Sequence, residues 1–235
     1  MSAQLPLGFG GWRAPELADF WDEIDPLVLA RLRALAVNPG ASRILLTGAA
    51  DTGKTHLLLA ACESARASGY DAFYLPLSKF DAEALREPHV ADLIAIDEAD
   101  LAFADRELSE ALFVLINRQQ DRNRALLLAA RNSPEQSQSV LPDLQSRLAQ
   151  AERLRLSEHG DDARKAILMF RAHRAGIPLD PAAVEYLLRH SARDLRSLMQ
   201  QLAALDRESL ARGRRITVPL LREILAGWNP PARKL

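Results

Sequence analysis

Apolar positions along this chain follow two spacings, and the balance between them changes near residue 157. Before it, short apolar runs alternate with helical patterns. RILLT (43–47), DAFYLPL (71–77), DLIAID (92–97), ALLLAA (125–130) and ERLRL (152–156) read as five strands. DLIAID is nearly all apolar, as a strand buried on both faces should be. A helical pattern runs from Glu16 to Ala36, with DPLVLARLRALA amphipathic behind the cap-like Asp25 and Pro26, until Asn38-Pro39-Gly40 breaks it. KTHLLLAACESARAS, closed by Gly69, and RELSEALFVLINRQQDR (106–122) are two further helices. Strands alternating with helices predict βαβ units and a parallel sheet.

After residue 157 the strands stop. DDARKAILMFRAHRAG, DPAAVEYLLRHS, RDLRSLMQQLAALDRESLARG and TVPLLREILAGW all carry apolar residues at helical spacing, and each begins near Asp, Ser or Thr. The expected organisation is a Gly- and Pro-rich flexible tail over 1–15, an α/β domain over 16–157 and a small all-α domain over 158–235.

Composition narrows the function classes. The chain has 235 residues, 48% of them hydrophobic, which is ample for a sizeable core. Lys plus Arg is 30 against 31 Asp plus Glu, a net charge of −1. A protein that grips DNA by itself usually carries a basic excess, so any DNA contact is expected to run mainly through a partner. The single cysteine, Cys62 in HLLLAAC, cannot form an internal disulfide and reads as a small buried hydrophobe. No His and Cys spacing suits a metal. No segment approaches the ~20 apolar residues of a membrane helix, and the amino terminus lacks the basic and apolar regions of a secretory signal. A cytoplasmic protein without membrane association is the expectation.

The candidate chemistry begins at residue 48. Gly48-Ala49-Ala50-Asp51-Thr52-Gly53-Lys54-Thr55 matches the phosphate-loop pattern G-x-x-x-x-G-K-[ST] in full, between an apolar strand and a helix. Gly48 and Gly53 permit backbone conformations that a Cβ resists. The loop amides and the positive end of the helix suit a phosphate. Lys54 would meet the β- and γ-phosphates, and Thr55 would hold Mg²⁺. DLIAIDEAD supplies Asp97 at the carboxyl end of a strand, placed to coordinate Mg²⁺ directly or through water, and Glu98, placed to orient or deprotonate a water.

These features together resemble the AAA+ ATPases: a P-loop NTPase α/β domain with a parallel five-stranded sheet, followed by a small all-α lid. In PDLQSRLAQAERLRL, the resemblance makes Arg147 an arginine finger reaching a neighbouring subunit's nucleotide. In SARDLRSLM, it makes Arg193 the sensor II arginine touching the phosphates of its own nucleotide. A guanidinium suits both roles because it meets phosphate oxygens bidentately and stays charged. The run RDLRSLMQQLAALDRESLARGRRITVPLLREIL is similar to the end of the AAA+ region in DnaA-related proteins, and especially in their short Hda-type members. Only AGWNPPARKL follows it, so no helix-turn-helix is expected. The tip of the fourth strand, LAARNSP, departs from the family's usual sensor I pattern; Asn132 is the candidate, with Arg131 adjacent. Phe20 or Trp21 either borders the adenine or belongs to the core. The cofactors implied are ADP or ATP with Mg²⁺.

The resemblance also gives a use to QLPLGF near the amino terminus. Gln4, Leu5, Leu7 and Phe9 resemble the Q-x-x-L-x-F element that inserts into the cleft of the DNA polymerase III sliding clamp. Leu7 and Phe9 are apolar anchors, Gln4 offers an amide, and Pro6 lowers the entropy lost on docking. The implied function is a regulator of replication initiation. It would dock on the DNA-loaded clamp, stimulate hydrolysis of DnaA-bound ATP through Arg147, and itself turn over ATP weakly, as a monomer or a homo-oligomer. The alternatives are a self-contained AAA+ ATPase such as a helicase loader, or a non-catalytic clamp-bound scaffold.

Overall fold

The computed structural model describes residues 15–21, 23–87, 90–137, 141–190, 194–213 and 216–226. The chain divides into one unit ending at Glu158 and a second beginning at His159.

In the first unit, α1 (Pro26–Val37) starts at its proline. The helical pattern from Glu16 is therefore not one helix. Leu17–Asp19 forms a short 3-10 turn, and Asp25 lies outside the helical region at φ −133°, ψ 61°. The residue before a proline is sterically kept from the α region, so the helix starts afresh behind it. Then follow β1 (Arg43–Thr47), α2 (Lys54–Ala67), β2 (Ala72–Pro76), α3 (Ala82–Arg86), β3 (Leu93–Asp97), α4 (Asp100–Ala104), α5 (Arg106–Asp121), β4 (Ala125–Ala130), α6 (Pro142–Ala149) and β5 (Glu152–Arg155). The helices α3 and α4 carry only five residues each, too few for a helical period to register in the sequence.

All strand pairs are parallel, in the order β2-β3-β4-β1-β5. Alternate residues of each inner strand serve opposite faces. Ile44, Leu46, Leu93, Ala95, Leu127 and Ala129 pack with Leu32, Leu57 and Leu58 of α1 and α2. Leu45, Ile94, Ile96, Leu126 and Leu128 pack with Leu85, Leu112, Leu115, Leu144 and Leu148 of α3, α5 and α6. Helices thus cover both faces. The crossover after β1 runs to one edge of the sheet, and the one after β4 passes β1 to the other edge. A topological switch point therefore falls at the carboxyl ends of β1 and β4, where α/β sheets bind ligands.

The second unit consists of α7 (Asp161–Arg174), α8 (Pro181–His190), α9 (Leu195–Arg212) and α10 (Val218–Ala226). Leu168, Val184, Leu187, Leu198, Leu202 and Leu221 form its core. Asp194 caps α9 by accepting the Ser197 amide at 2.8 Å, and Gly213 closes it in the left-handed region at φ +60°.

Candidate nucleotide-binding site

The loop from Gly48 to Gly53 joins β1 to α2 and leaves no room for larger residues. A Cβ on Gly48 would sit 2.9 Å from Thr52 Oγ1 and 3.1 Å from Leu156 Cβ. Gly53 lies at φ +93°, and a Cβ there would meet the Phe20 ring at 2.9 Å. Phe20 therefore lies against the loop itself, is loosely stacked on His56, and packs onto the α1/α2 core. Thr52 is buried and donates to the Ala49 carbonyl at 3.0 Å. Asp51 also takes a left-handed conformation, φ +61°, which aspartate tolerates better than most residues. The residue capping α2 is Gly53, which has no side chain to satisfy the first-turn amides. Those N–H groups and the helix's positive end face whatever occupies the loop.

Lys54 opens α2 and turns back over the loop, donating to the carbonyls of Gly48 at 2.7 Å and Ala49 at 2.5 Å. Burial holds its pKa below the ordinary lysine value; Asp97, Asp100 and Asp51 oppose that shift and Arg131 reinforces it. A partly desolvated ammonium beside glycines at a helix's positive end fits an anionic ligand such as a polyphosphate.

Beside it stands Asp97, the last residue of β3 and only 4% exposed. Its Oδ2 accepts the Thr55 hydroxyl at 2.6 Å and the Tyr74 hydroxyl at 2.9 Å. Its Oδ1 accepts the Glu98 amide at 2.9 Å. The structure thus brings the phosphate loop and Asp97 together through Thr55. Burial, then the charge of Asp97, pushes the Tyr74 phenol well above its ordinary range, so it acts as a donor.

Glu98 is turned elsewhere. It sits in the left-handed region at φ +58°, and its carboxylate accepts the Ser78 amide at 3.3 Å, in the turn after β2. Since β2 is the edge strand on the far side of β3 from β1, this carboxylate is drawn away from the phosphate loop. Asn132 is exposed in the bend after β4. Its neighbour Arg131 is the one whose charge acts on Lys54, and the Arg131 amide donates to Asp100 Oδ1 at 2.9 Å. Arg147, in the last turn of α6, donates to Gln120 Oε1 of α5 at 3.3 Å. Arg193 and the tail residues Gln4, Leu5, Leu7 and Phe9 lie outside the described residues.

Two site residues escape a motif search. Asp100 is legible as the last acid of DEAD, but its hold on Arg131 depends on β4 lying beside β3. Tyr74 has no local signal, because its partner is set by strand register.

Comparison with known proteins places this arrangement. Domain III of the Thermotoga maritima replication initiation protein DnaA superposes with a TM-score of 0.74 at 16% identity, over 92% of this chain and 97% of that one. AMPPCP-bound DnaA from Aquifex aeolicus superposes at 0.68 with 20% identity, over 81% and 64%. The T. maritima RuvB branch-migration motor gives 0.62 at 16% identity, over 92% and 72%. The fold is therefore that of an AAA+ protein, a five-stranded parallel α/β domain with a helical lid. A family model described as "Hda, lid domain" matches residues 161–225. An uncharacterised protein of Haemophilus influenzae is 31% identical over 229 residues, 96% of this chain and 99% of that protein. The chain belongs to the Hda family of DnaA-related AAA+ proteins.

Proposed function

We propose that this protein is a cytoplasmic regulator of replication initiation that binds an adenine nucleotide and stimulates hydrolysis of DnaA-bound ATP. The observation that carries this reading is an Hda-type lid in the same chain as a phosphate loop whose Thr55 is already joined to Asp97. The AMPPCP carried by the A. aeolicus DnaA supports an adenine nucleotide as the ligand. Gly48, Ala49, Ala50, Asp51, Thr52 and Gly53 would cradle its phosphates. Lys54 would exchange loop carbonyls for phosphate oxygens, and Arg193 and Asn132 would complete the set. Phe20, against Gly53, gives the loop an apolar border.

Among the described residues no group of three or more His, Cys, Asp or Glu side chains is placed to hold a metal by itself. That fits Mg²⁺ shared between Thr55, Asp97 and phosphate oxygens, the usual arrangement for an ion that keeps few protein ligands. Bound magnesium would offset phosphate charge. Glu98 would serve a water only after leaving Ser78, which supports weak turnover by this protein itself.

Arg147 would act on DnaA. A guanidinium set against charge developing on the transferred phosphoryl is worth ~10³–10⁵ in rate in GTPase systems. Gln4, Leu5, Leu7 and Phe9 would hold the protein on the DNA-loaded sliding clamp, so that DNA is met mainly through that partner. The test is hydrolysis of DnaA-bound ATP with clamp and DNA, comparing the native chain with Arg147→Ala and Gln4→Ala. The native chain should accelerate hydrolysis and both variants should lose the effect. Variants that accelerate as well as the native chain would overturn the mechanism. Rapid ATP hydrolysis by the protein alone would instead favour a self-contained ATPase.

A further inference from the structure

Asp97 is held from two sides. Thr55 reaches it from the first turn of α2, and Tyr74 reaches it from β2. Both hydroxyls donate to the same oxygen, Oδ2, while the Glu98 amide occupies Oδ1. The strand register explains how Tyr74 arrives there. Tyr74 pairs with Ala95, two residues before Asp97, and Pro76 pairs with Asp97 itself. Side chains alternate along a strand, so Tyr74, Ala95 and Asp97 share the face under α2. A side chain at position 74 must span two residues along β3 to touch Asp97, which a tyrosine can and a serine or threonine cannot.

We propose that Tyr74 is a positioning residue of the nucleotide site, holding Asp97 in the orientation that fixes the Thr55 hydroxyl for a divalent cation. This rests on the nucleotide function proposed above. The Thr55 hydroxyl has one proton. While that proton is donated to Asp97, the oxygen lone pairs point away from the carboxylate and are available to a cation beside the phosphates. A carboxylate free to swing would release the proton and with it the direction of those lone pairs. The Tyr74 hydroxyl prevents that swing from the side opposite Thr55. Packing does not need the hydroxyl, because the ring alone lies on the α1/α2 core, where phenylalanine would fill the same volume. The hydroxyl is the feature that packing leaves unexplained. Partners of metal ligands act in this way, fixing the orientation of groups that touch the ion.

The test measures binding of a fluorescent adenine nucleotide by anisotropy, once with Mg²⁺ and once with EDTA, for the native chain, Tyr74→Phe, Thr55→Val and the double variant. In the native chain magnesium should tighten binding. Tyr74→Phe should lose about tenfold of that magnesium-dependent gain. Its affinity in EDTA should stay at the native value, which a general loss of folding would not allow. In the Thr55→Val background, Tyr74→Phe should change nothing further, because the two hydroxyls act on one carboxylate oxygen. A native-sized magnesium gain in Tyr74→Phe, or equal losses in EDTA and magnesium, would overturn the role of Tyr74 alone. No magnesium gain in the native chain would overturn the metal site as well, so the two failures are separable.

Discussion

Thr55 Oγ1 lies 2.6 Å from Asp97 Oδ2, joining residues 42 apart in sequence. One lies in the first turn of the helix after β1 and the other ends a strand two places from β1 in the sheet, so neither position has meaning for the other until β4 is inserted between β1 and β3. The bond gives Asp97 two separable jobs, accepting hydrogen bonds and carrying charge. Asp97→Asn keeps an acceptor for the hydroxyls and removes the charge. It should weaken magnesium-dependent nucleotide binding by at least about tenfold and melt between the native chain and Asp97→Ala, since its NH2 must face the Glu98 amide that Oδ1 accepts. Asp97→Ala strands two buried hydroxyls and an amide, and should also cost about 1–3 kcal/mol of stability. Denaturant midpoints and anisotropy on the two variants together separate these effects.

The second prediction concerns Gly53. Its φ of +93° strains any other residue, and an added methyl would press on the Phe20 ring at 2.9 Å. Gly53→Ala should destabilise the protein by about 1–3 kcal/mol. Phe20→Ala in the same chain should recover the steric part and leave the backbone part, since the dihedral is untouched by the ring. A double-mutant cycle in urea reads the coupling; additive losses would show that the ring yields freely.

Cys62 provides a pH test. Burial pushes its thiol up to about 12 from 9.0, so the folded chain holds the proton where the unfolded chain releases it. Stability contributed by the protonated thiol is complete below pH 9 and falls by about 1.4 kcal/mol per pH unit from there toward pH 12. Cys62→Ala should show a correspondingly shallower alkaline decline. At neutral pH the native thiol should react with Ellman's reagent only as fast as the protein unfolds.

Among the described residues the Arg147 side chain makes one hydrogen bond, at 3.3 Å, to a partly exposed glutamine. Arg147→Ala should therefore shift the unfolding free energy by less than about 0.5 kcal/mol. Loss of DnaA-ATP hydrolysis with native melting would locate its role in the partner's site; a lowered melting point would assign it to α5–α6 packing instead.

Much of this site's framework is legible in the amino-acid sequence. The phosphate loop could be read because its chemistry is local: two glycines, a lysine and a threonine at fixed spacing between a strand and a helix. The parallel sheet could be read because βαβ alternation leaves few other ways to bury so many apolar strands. Asp97 could be placed at a strand's carboxyl end for the same reason. The short helices α3 and α4 could not, having too few residues to show a period. The start of α1 behind Asp25 and Pro26 could be read from those two residues, but the separate 3-10 turn at Leu17–Asp19 could not, because apolar spacing continues smoothly from it into the helix.

Alone, then, the sequence determined the kind of domain, the glycine-bearing loop between a strand and a helix, and the carboxylate at a strand's end, since each depends on residues close together in the chain. Tertiary structure decided how they are joined. Strand order sets Thr55 against Asp97, strand register brings Tyr74 to the same oxygen, and the turn after β2 draws Glu98 to Ser78. These contacts cross from one strand to another, and a side chain's partner across a sheet follows from order and register, which no local pattern records.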